Sequence, residues 1–227
     1  MKHAVNLYSA LTLVFVFLLA LSGSLTGIIS DAIYILSFLL PVALGFLAHR
    51  ELKRRREEER GLAENEWYGL SLKSDRALDL ALLAVPILGL IFLAAALTSL
   101  VLTSLGAVDT PVVREHFAKM LLVHALMPAL LEELLFRYLP MKLLAPYSRK
   151  WCVILSAAYF ALIHPSFFKM PYALLAGVIF IGLDIAMDSI LPSVILHFLN
   201  NALSLVWICY CDSAEAQTCF LASLVAL

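Results

Sequence analysis

Charged residues are scarce in this sequence. Asp, Glu, Lys and Arg together make up 15% of the 227 residues, whereas soluble domains carry roughly a quarter. Hydrophobic residues account for 63% of the chain. Because so few charges cannot cover the surface of a water-soluble globule, the composition predicts a membrane protein.

Long apolar stretches with few charges fill most of the chain. A membrane-crossing helix needs about 20 mainly apolar residues, and about seven such spans can be drawn, with eight as the alternative count. Their ranges are 5–29, 32–49, 78–105, 116–139, 150–164, 171–189 and 191–210. The connections are too short for a second domain. We therefore predict an all-α, polytopic transmembrane helical bundle, a single transmembrane domain over residues 1–227.

Basic residues are concentrated in one connection. Eight of the sixteen Lys and Arg lie between Arg50 and Arg76, and the positive-inside rule places this segment, residues 50–77, in the cytoplasm. The N-terminus is then cytoplasmic too, and the membrane is the plasma membrane if the chain is prokaryotic. Interleaved glutamates cancel most of the positive field, so we expect a solvated segment and no nucleic acid partner.

The sequence has no internal repeat and only four cysteines. Without repeated halves, it lacks a feature common in transporters. Cys209, Cys211 and Cys219 lie close together near the C-terminus, at a spacing that matches no metal motif. A disulfide among them stays open, because oxidation depends on the compartment.

Ionisable residues inside the later spans call for an explanation, since a charge at the bilayer centre costs about 2.5–3.5 kcal/mol on insertion scales. Glu133 and Arg137 are four residues apart, with the acid first, which favours an ion pair on a helix. Glu132 projects about 100° away from Glu133 and lacks this partner. A carboxylate left without a partner in apolar surroundings suits a general base or acid.

Two further spans carry histidines. His164 precedes Pro165, which predicts a helix end at the histidine. His197 and Asn201 are four apart and share a helix face, where they can hold a developing oxyanion. With a rise of about 1.5 Å per residue, Glu132 and these three residues lie about 10–21 Å from the cytoplasmic helix ends, so modest tilts can bring them together.

The order of these motifs resembles a known family. Glu-Glu-x-x-x-Arg, Phe-x-x-x-His and His-x-x-x-Asn begin at Glu132, Phe160 and His197, and lie on one span, on the next span and two spans later. This pattern is similar to the type II CAAX prenyl endopeptidases and their prokaryotic relatives, the CPBP (CAAX-protease and bacteriocin-processing) family. The resemblance covers a catalytic core of about residues 116–203, in which Phe160 matches the family's aromatic packing position.

The resemblance implies an intramembrane endopeptidase with a site of six residues. Their implied roles are a base that activates water (Glu132), a residue that helps to hold the water (His164), stabilisers of the tetrahedral oxyanion (His197 and Asn201) and supporting residues (Glu133 and Arg137). The implied partners are the lipid bilayer and a membrane-associated, CAAX-like protein or peptide, cut near its C-terminus. The bilayer would deliver this substrate laterally, and the site would admit water from the cytosol.

Several alternatives stay open. A non-enzymatic bacteriocin-immunity or scaffold protein is the second function, and an ion-coupled transporter the third. Glu132, His164 and His197 can also supply three ligands to a catalytic zinc. The chain has no His-Glu-x-x-His helix, and an asparagine four residues after a histidine suits an oxyanion better than zinc, so a mechanism without a cofactor is favoured. Asp184 and Asp188 have no family role, and we expect them to face the cavity or the cytoplasmic interface.

Overall fold

The computed structural model describes residues 1–60, 69, 72–109, 116–164 and 166–211. These residues form seven helical rods and contain no strand. The rods are α1 (Lys2–Gly23), α2 (Gly27–Arg60), α3 (Ser74–Ser104), α4 (117–143), α5 (Arg149–Leu162), α6 (Met170–Met187) and α7 (Leu191–Tyr210). The predicted all-α class is therefore confirmed.

Five of these rods are long and apolar enough to cross a membrane. They are α1, α2, α3, α6 and α7. Their outward faces carry large apolar side chains, such as Phe17 and Leu82, each 68% exposed, as expected where lipid replaces water. Helix α5 has only 14 residues, and α4 is interrupted. The architecture is that of a polytopic membrane protein, and the count of seven or eight spans stays a prediction.

Helix α4 alternates between α-helical and π-helical turns. Its α-helical pieces are Phe117–Met120, Met127–Glu133 and Leu139–Leu143, and the π-helical pieces between them are Leu121–Leu126 and Leu134–Tyr138. Pro128 and Pro140 lie in the first turn after each π-helical piece, where a missing N–H interrupts the α-helical hydrogen bonds. Such π turns are frequent at functional sites.

Two apolar clusters hold the rods together. Phe15 of α1 packs on Phe38 of α2 and Phe136 of α4, with ring centroids 4.8 and 5.7 Å apart. A second cluster joins α3, α6 and α7 through residues that include Ile91 and Phe180. The helices that carry the predicted site residues are therefore fixed by packing on both sides.

The bundle has two chemically different ends. At the end that we call the basic end, Arg56 of α2 lies over the ring of Tyr147, 5.5 Å from its centroid. Gly69 bridges to the α6–α7 turn at this end, where its N–H donates to the carbonyl of Asp188 at 3.2 Å. At the opposite end Asp109, after α3, accepts a hydrogen bond from Ser166, after α5, at 3.5 Å.

Some predicted boundaries are wrong. The first connection lies at residues 24–26, not 30–31, because Gly27 takes a positive φ of 67° and starts α2 early. Helix α2 continues through the basic segment, so residues 50–60 are helical, with Arg54 paired to Glu51 at 2.8 Å and Glu58 at 2.6 Å. Residues 61–68 and Cys219 lie outside the described residues.

Candidate active site

The structure brings the six predicted site residues together. Four of them, Glu132, His164, His197 and Asn201, line one cavity. Each reaches it from a different place: α4, the end of α5 and two turns of α7. Glu133 and Arg137 lie directly behind the cavity, fully buried.

Glu133 contacts both of the other residues in the buried network. Its Oε2 lies 3.3 Å from Nε of Arg137, the ion pair that helical spacing predicted. Its Oε1 accepts a 2.7 Å hydrogen bond from Nδ1 of His197. Sequence reasoning missed this second contact, because it joins residues 64 positions apart and no local pattern signals it. One carboxylate therefore links α4 to the histidine of α7.

Phe160 forms the aromatic wall between the charged groups. The Arg137 guanidinium lies 4.3 Å from the centroid of its ring, a distance at which cation–π attraction is substantial in a dry site. The same ring meets His164 at 5.1 Å and His197 at 5.6 Å, both edge-on. Phe160 is 3% exposed, so it occupies a packing position, as the resemblance implies.

Glu132 differs sharply from its neighbour. Its side chain is 13% exposed and faces the cavity. Its Oε2 lies 3.9 Å from Nε2 of His197, beyond hydrogen-bond distance, and has no hydrogen-bond partner among the described residues. A buried carboxylate oxygen with no protein partner is rare and points to a role with water or a ligand.

His164 and Asn201 present defined atoms to the cavity. Helix α5 ends at Leu162, and Nδ1 of His164 donates to the carbonyl of Phe160 at 2.8 Å. The imidazole therefore has Nε2 as its remaining acceptor. Asn200 Nδ2 donates to Oδ1 of Asn201 at 3.2 Å, which leaves the amide nitrogen of Asn201 as a donor.

Asp184 and Asp188 do not face the cavity. Asp184 is fully buried at the end of α6, where its Oδ1 accepts the backbone N–H of Ser193 at 3.0 Å and so ties down the start of α7. Asp188 is exposed and ends α6 with a φ of 52°, a left-handed conformation that Asp tolerates better than most residues. Asp184 therefore lies buried next to the α6–α7 turn, and Asp188 lies at the start of that turn, at the basic end.

The cavity has a volume of about 440 Å³. Its inner wall includes Phe160 and Phe180, 3% and 1% exposed. Towards the opposite end it is lined by residues that the motifs did not include, and of these Asp109, His124 and Lys169 are exposed. Sequence patterns could not find them, since Asp109 and Lys169 lie in or next to connections and His124, on α4, is not part of the motif that begins at Glu132.

Towards the basic end the cavity is closed. Glu133, Arg137, Asp184 and Ser193 are all 0% exposed and lie between the cavity and the α6–α7 turn. Entry of water from the cytosol stays a prediction, and a path to the cavity from the basic end would have to pass these four side chains. The cavity and the basic segment lie at opposite ends of the bundle. The side chains of α4, α5 and α7 that line the cavity face away from the α6–α7 turn.

The zinc alternative stays a hypothesis. Within the described ranges, no group of three His, Cys, Asp or Glu side chains is placed to hold a metal ion. Nδ1 of His164 and Nδ1 of His197 both bond protein acceptors. Nε2 of each ring therefore stays available to water or, together with Glu132, to a metal ion.

Comparison with protein families identifies the region that holds this site. Residues 114–203 match the family described as type II CAAX prenyl endopeptidase Rce1-like, and all six site residues lie within the match. Comparisons with curated proteins and with solved structures gave no match. The motif order that suggested this resemblance is thereby confirmed. Residues 114–203 are therefore similar to the Rce1-like type II CAAX prenyl endopeptidases.

Proposed function

We propose that the protein is an intramembrane endopeptidase that hydrolyses a peptide bond near the C-terminus of a membrane-associated protein or peptide. The observation that carries this proposal is the lone Oε2 of Glu132, buried yet facing a cavity beside two histidines and an asparagine. A carboxylate without a protein partner can take a proton from a bound water. The family of residues 114–203 supports the same reaction class.

Glu132 is the general base. It accepts one proton from the water while the water oxygen attacks the carbonyl carbon of the scissile bond. Nε2 of His164 accepts a hydrogen bond from the same water and so helps to hold it. The carbonyl oxygen becomes an oxyanion. When the carbon–nitrogen bond breaks, Glu132 returns its proton to the leaving amine, so that one water is consumed for each bond cut.

His197 and Asn201 stabilise the oxyanion. Glu133 holds the Nδ1 side of His197, which turns Nε2 towards the cavity, and a protonated Nε2 donates to the oxyanion. The amide nitrogen of Asn201 supplies a second donor. Fixed donors in a dry site stabilise developing charge with little reorganisation. Glu133 and Arg137 act through His197 and are positioning residues.

The proposed reaction takes no step through a metal ion, because Glu132 and the two histidines suffice to activate and hold water. We expect cleavage by the purified protein to continue at an unchanged rate after treatment with excess chelator. A loss of activity that returns on adding zinc, and not on adding magnesium, would restore the zinc alternative.

The reaction is tested with the full chain reconstituted in liposomes that contain membrane-anchored reporter peptides. Mass spectrometry should find two products whose masses add up to the substrate plus one water. Peptides that bind to the liposomes but stay intact across a varied panel would favour the non-enzymatic scaffold function instead.

A further inference from the structure

The distribution of charge gives the bundle a defined orientation. Of the sixteen Lys and Arg, twelve lie in residues 1–2, 50–76 or 142–150, whereas only three lie in the sequence segments 105–119 and 163–169, which follow α3 and α5. The remaining one, Arg137, is buried in the site. A bias of this size in short connections places the basic end in the cytoplasm.

Contacts confirm that these basic segments meet at one end. Arg56, near the end of α2, lies over Tyr147 in the α4–α5 connection. Gly69, from the α2–α3 connection, is hydrogen bonded in both directions to the α6–α7 turn, at 3.2 Å to Asp188 and 3.1 Å from Ile190. The α2–α3 and α4–α5 connections and the α6–α7 turn therefore lie at the same end of the bundle.

The cavity lies open at the other end. Asp109 and Lys169, both exposed, line its outer part, together with Tyr172. On the cytoplasmic side it ends at the buried Glu133 and Arg137. Water and the polar part of a substrate therefore have a polar route from the opposite end and face packed side chains from the basic end.

We propose that the active site opens on the non-cytoplasmic face, and that the substrate is a membrane peptide whose scissile segment lies on that face. This inference rests on the proposed endopeptidase function for its substrate, although the orientation stands on charge and packing alone. The outer cavity carries both an acid and a base, Asp109 and Lys169, so it suits a polar segment that leaves the bilayer. Phe160, Phe180 and the small side chains of Ala173 and Ala176 suit apolar residues next to the cut.

Cysteine labelling tests the orientation without any need for activity. Phe167, 77% exposed at the opposite end, and Arg54, with a side chain 58% exposed at the basic end, provide matched probe sites. Each is changed to cysteine in the full chain after Cys209, Cys211 and Cys219 are changed to serine, while the fully buried Cys152 is kept. Intact and permeabilised cells are then treated with a membrane-impermeant maleimide.

We expect Phe167→Cys to be labelled equally in intact and permeabilised cells, and Arg54→Cys to be labelled at least tenfold less in intact cells. The reverse pattern would overturn the proposal. A fluorescent protein fused to the N-terminus of the unsubstituted chain gives an independent readout, since it fluoresces in bacteria when that terminus is cytoplasmic and stays dark after export.

Two reporters separate this inference from the proposed function. Both carry the same membrane-spanning segment and the same cleavage segment, which faces the cytoplasm in one and the outside in the other. Cleavage of the outward-facing reporter supports the proposal, and cleavage of the cytoplasmic one overturns it. If neither is cut, the endopeptidase function is contradicted, while labelling still decides the orientation.

Discussion

Two adjacent glutamates do different work in this site. Glu133 is fully buried, ion-paired with Arg137 at 3.3 Å and hydrogen bonded to His197 at 2.7 Å, whereas Glu132 faces the cavity, and its Oε2 has no hydrogen-bond partner in the described part of the chain. Consecutive residues on a helix point about 100° apart, so adjacency places the two carboxylates in separate environments. Glu133 is thereby placed to support Arg137 and His197, and the role that we propose for Glu132 is to activate water.

Glu133→Gln should destabilise the fold. The change leaves the guanidinium of Arg137 fully buried without its counter-charge and weakens the support of His197. Breaking a buried ion pair by removal of one partner typically costs about 3–5 kcal/mol. Unfolding of the purified protein in detergent, followed by denaturant titration, measures this loss.

Glu132→Gln is the matched control, because it is an identical chemical change one residue away at a carboxylate whose nearest charged partner, Nε2 of His197, is 3.9 Å away. Because this contact is too long for a hydrogen bond, the unfolding free energy should stay within about 1 kcal/mol of the unsubstituted protein. Equal losses in the two variants would contradict the division of roles.

Asn201→Ala should lower kcat. Removal of one oxyanion donor typically costs about 10²–10³-fold in kcat, and KM should change much less, because the donor acts on charge that develops during the reaction. Steady-state cleavage of a membrane reporter measures both constants. Asn200→Ala is the matched amide control, one residue away on the same cavity wall, and a loss of kcat as large as that of Asn201→Ala would rule out a specific donor.

At the scale of the helices, the sequence predicted which segments are helical more accurately than the residues at which the helices begin and end. Apolar length located every rod, and Pro165 marked the end of α5 to within two residues. The π-helical turns of α4 were not predictable, because no residue pattern distinguishes them from α-helix. The ion pair of Glu133 and Arg137 nevertheless forms across the second π-helical piece, Leu134–Tyr138.

Helices α5 and α6 are in close contact at Gly177. A Cβ added to Gly177 would lie 3.0 Å from Cα and 3.1 Å from Cβ of Ala157. Because backbone cannot move away easily, Gly177→Ala should push α6 from α5, at a cost of about 1–3 kcal/mol. Since α5 carries Phe160, activity should fall along with thermal stability, which a melting curve measures.

Gly182→Ala is the control on the same helix. A Cβ there meets nothing within 4 Å, and alanine favours a helix over glycine by up to about 1 kcal/mol. Its melting temperature should be unchanged or raised. A decrease equal to that of Gly177→Ala would show that close packing against Ala157 is not the cause.

At the scale of the whole molecule, composition predicted the membrane class, and motif order predicted which residues meet. The six site residues could be named because each has a helical spacing or a neighbour that signals it. The hydrogen bond between Glu133 and His197 could not be predicted, since it depends on how α4 and α7 pack. The direction in which the cavity opens could not be predicted from any single span, because it depends on which side chains seal the bundle.

The whole account depends on a site in which one glutamate activates water inside a membrane bundle. Such a base contributes about 10²–10⁴-fold to the rate, and no other carboxylate on the described cavity wall lies beside His197. The matched control is Glu58→Gln, at a side chain 60% exposed on the basic end of α2.

The most direct test is the rate at which the reconstituted Glu132→Gln protein cleaves a membrane-anchored reporter, beside the unsubstituted protein and Glu58→Gln. We predict that Glu132→Gln folds with an unchanged melting temperature and loses at least a hundredfold in cleavage rate, while Glu58→Gln retains full activity. Cleavage by folded Glu132→Gln at the rate of the unsubstituted protein would contradict the account.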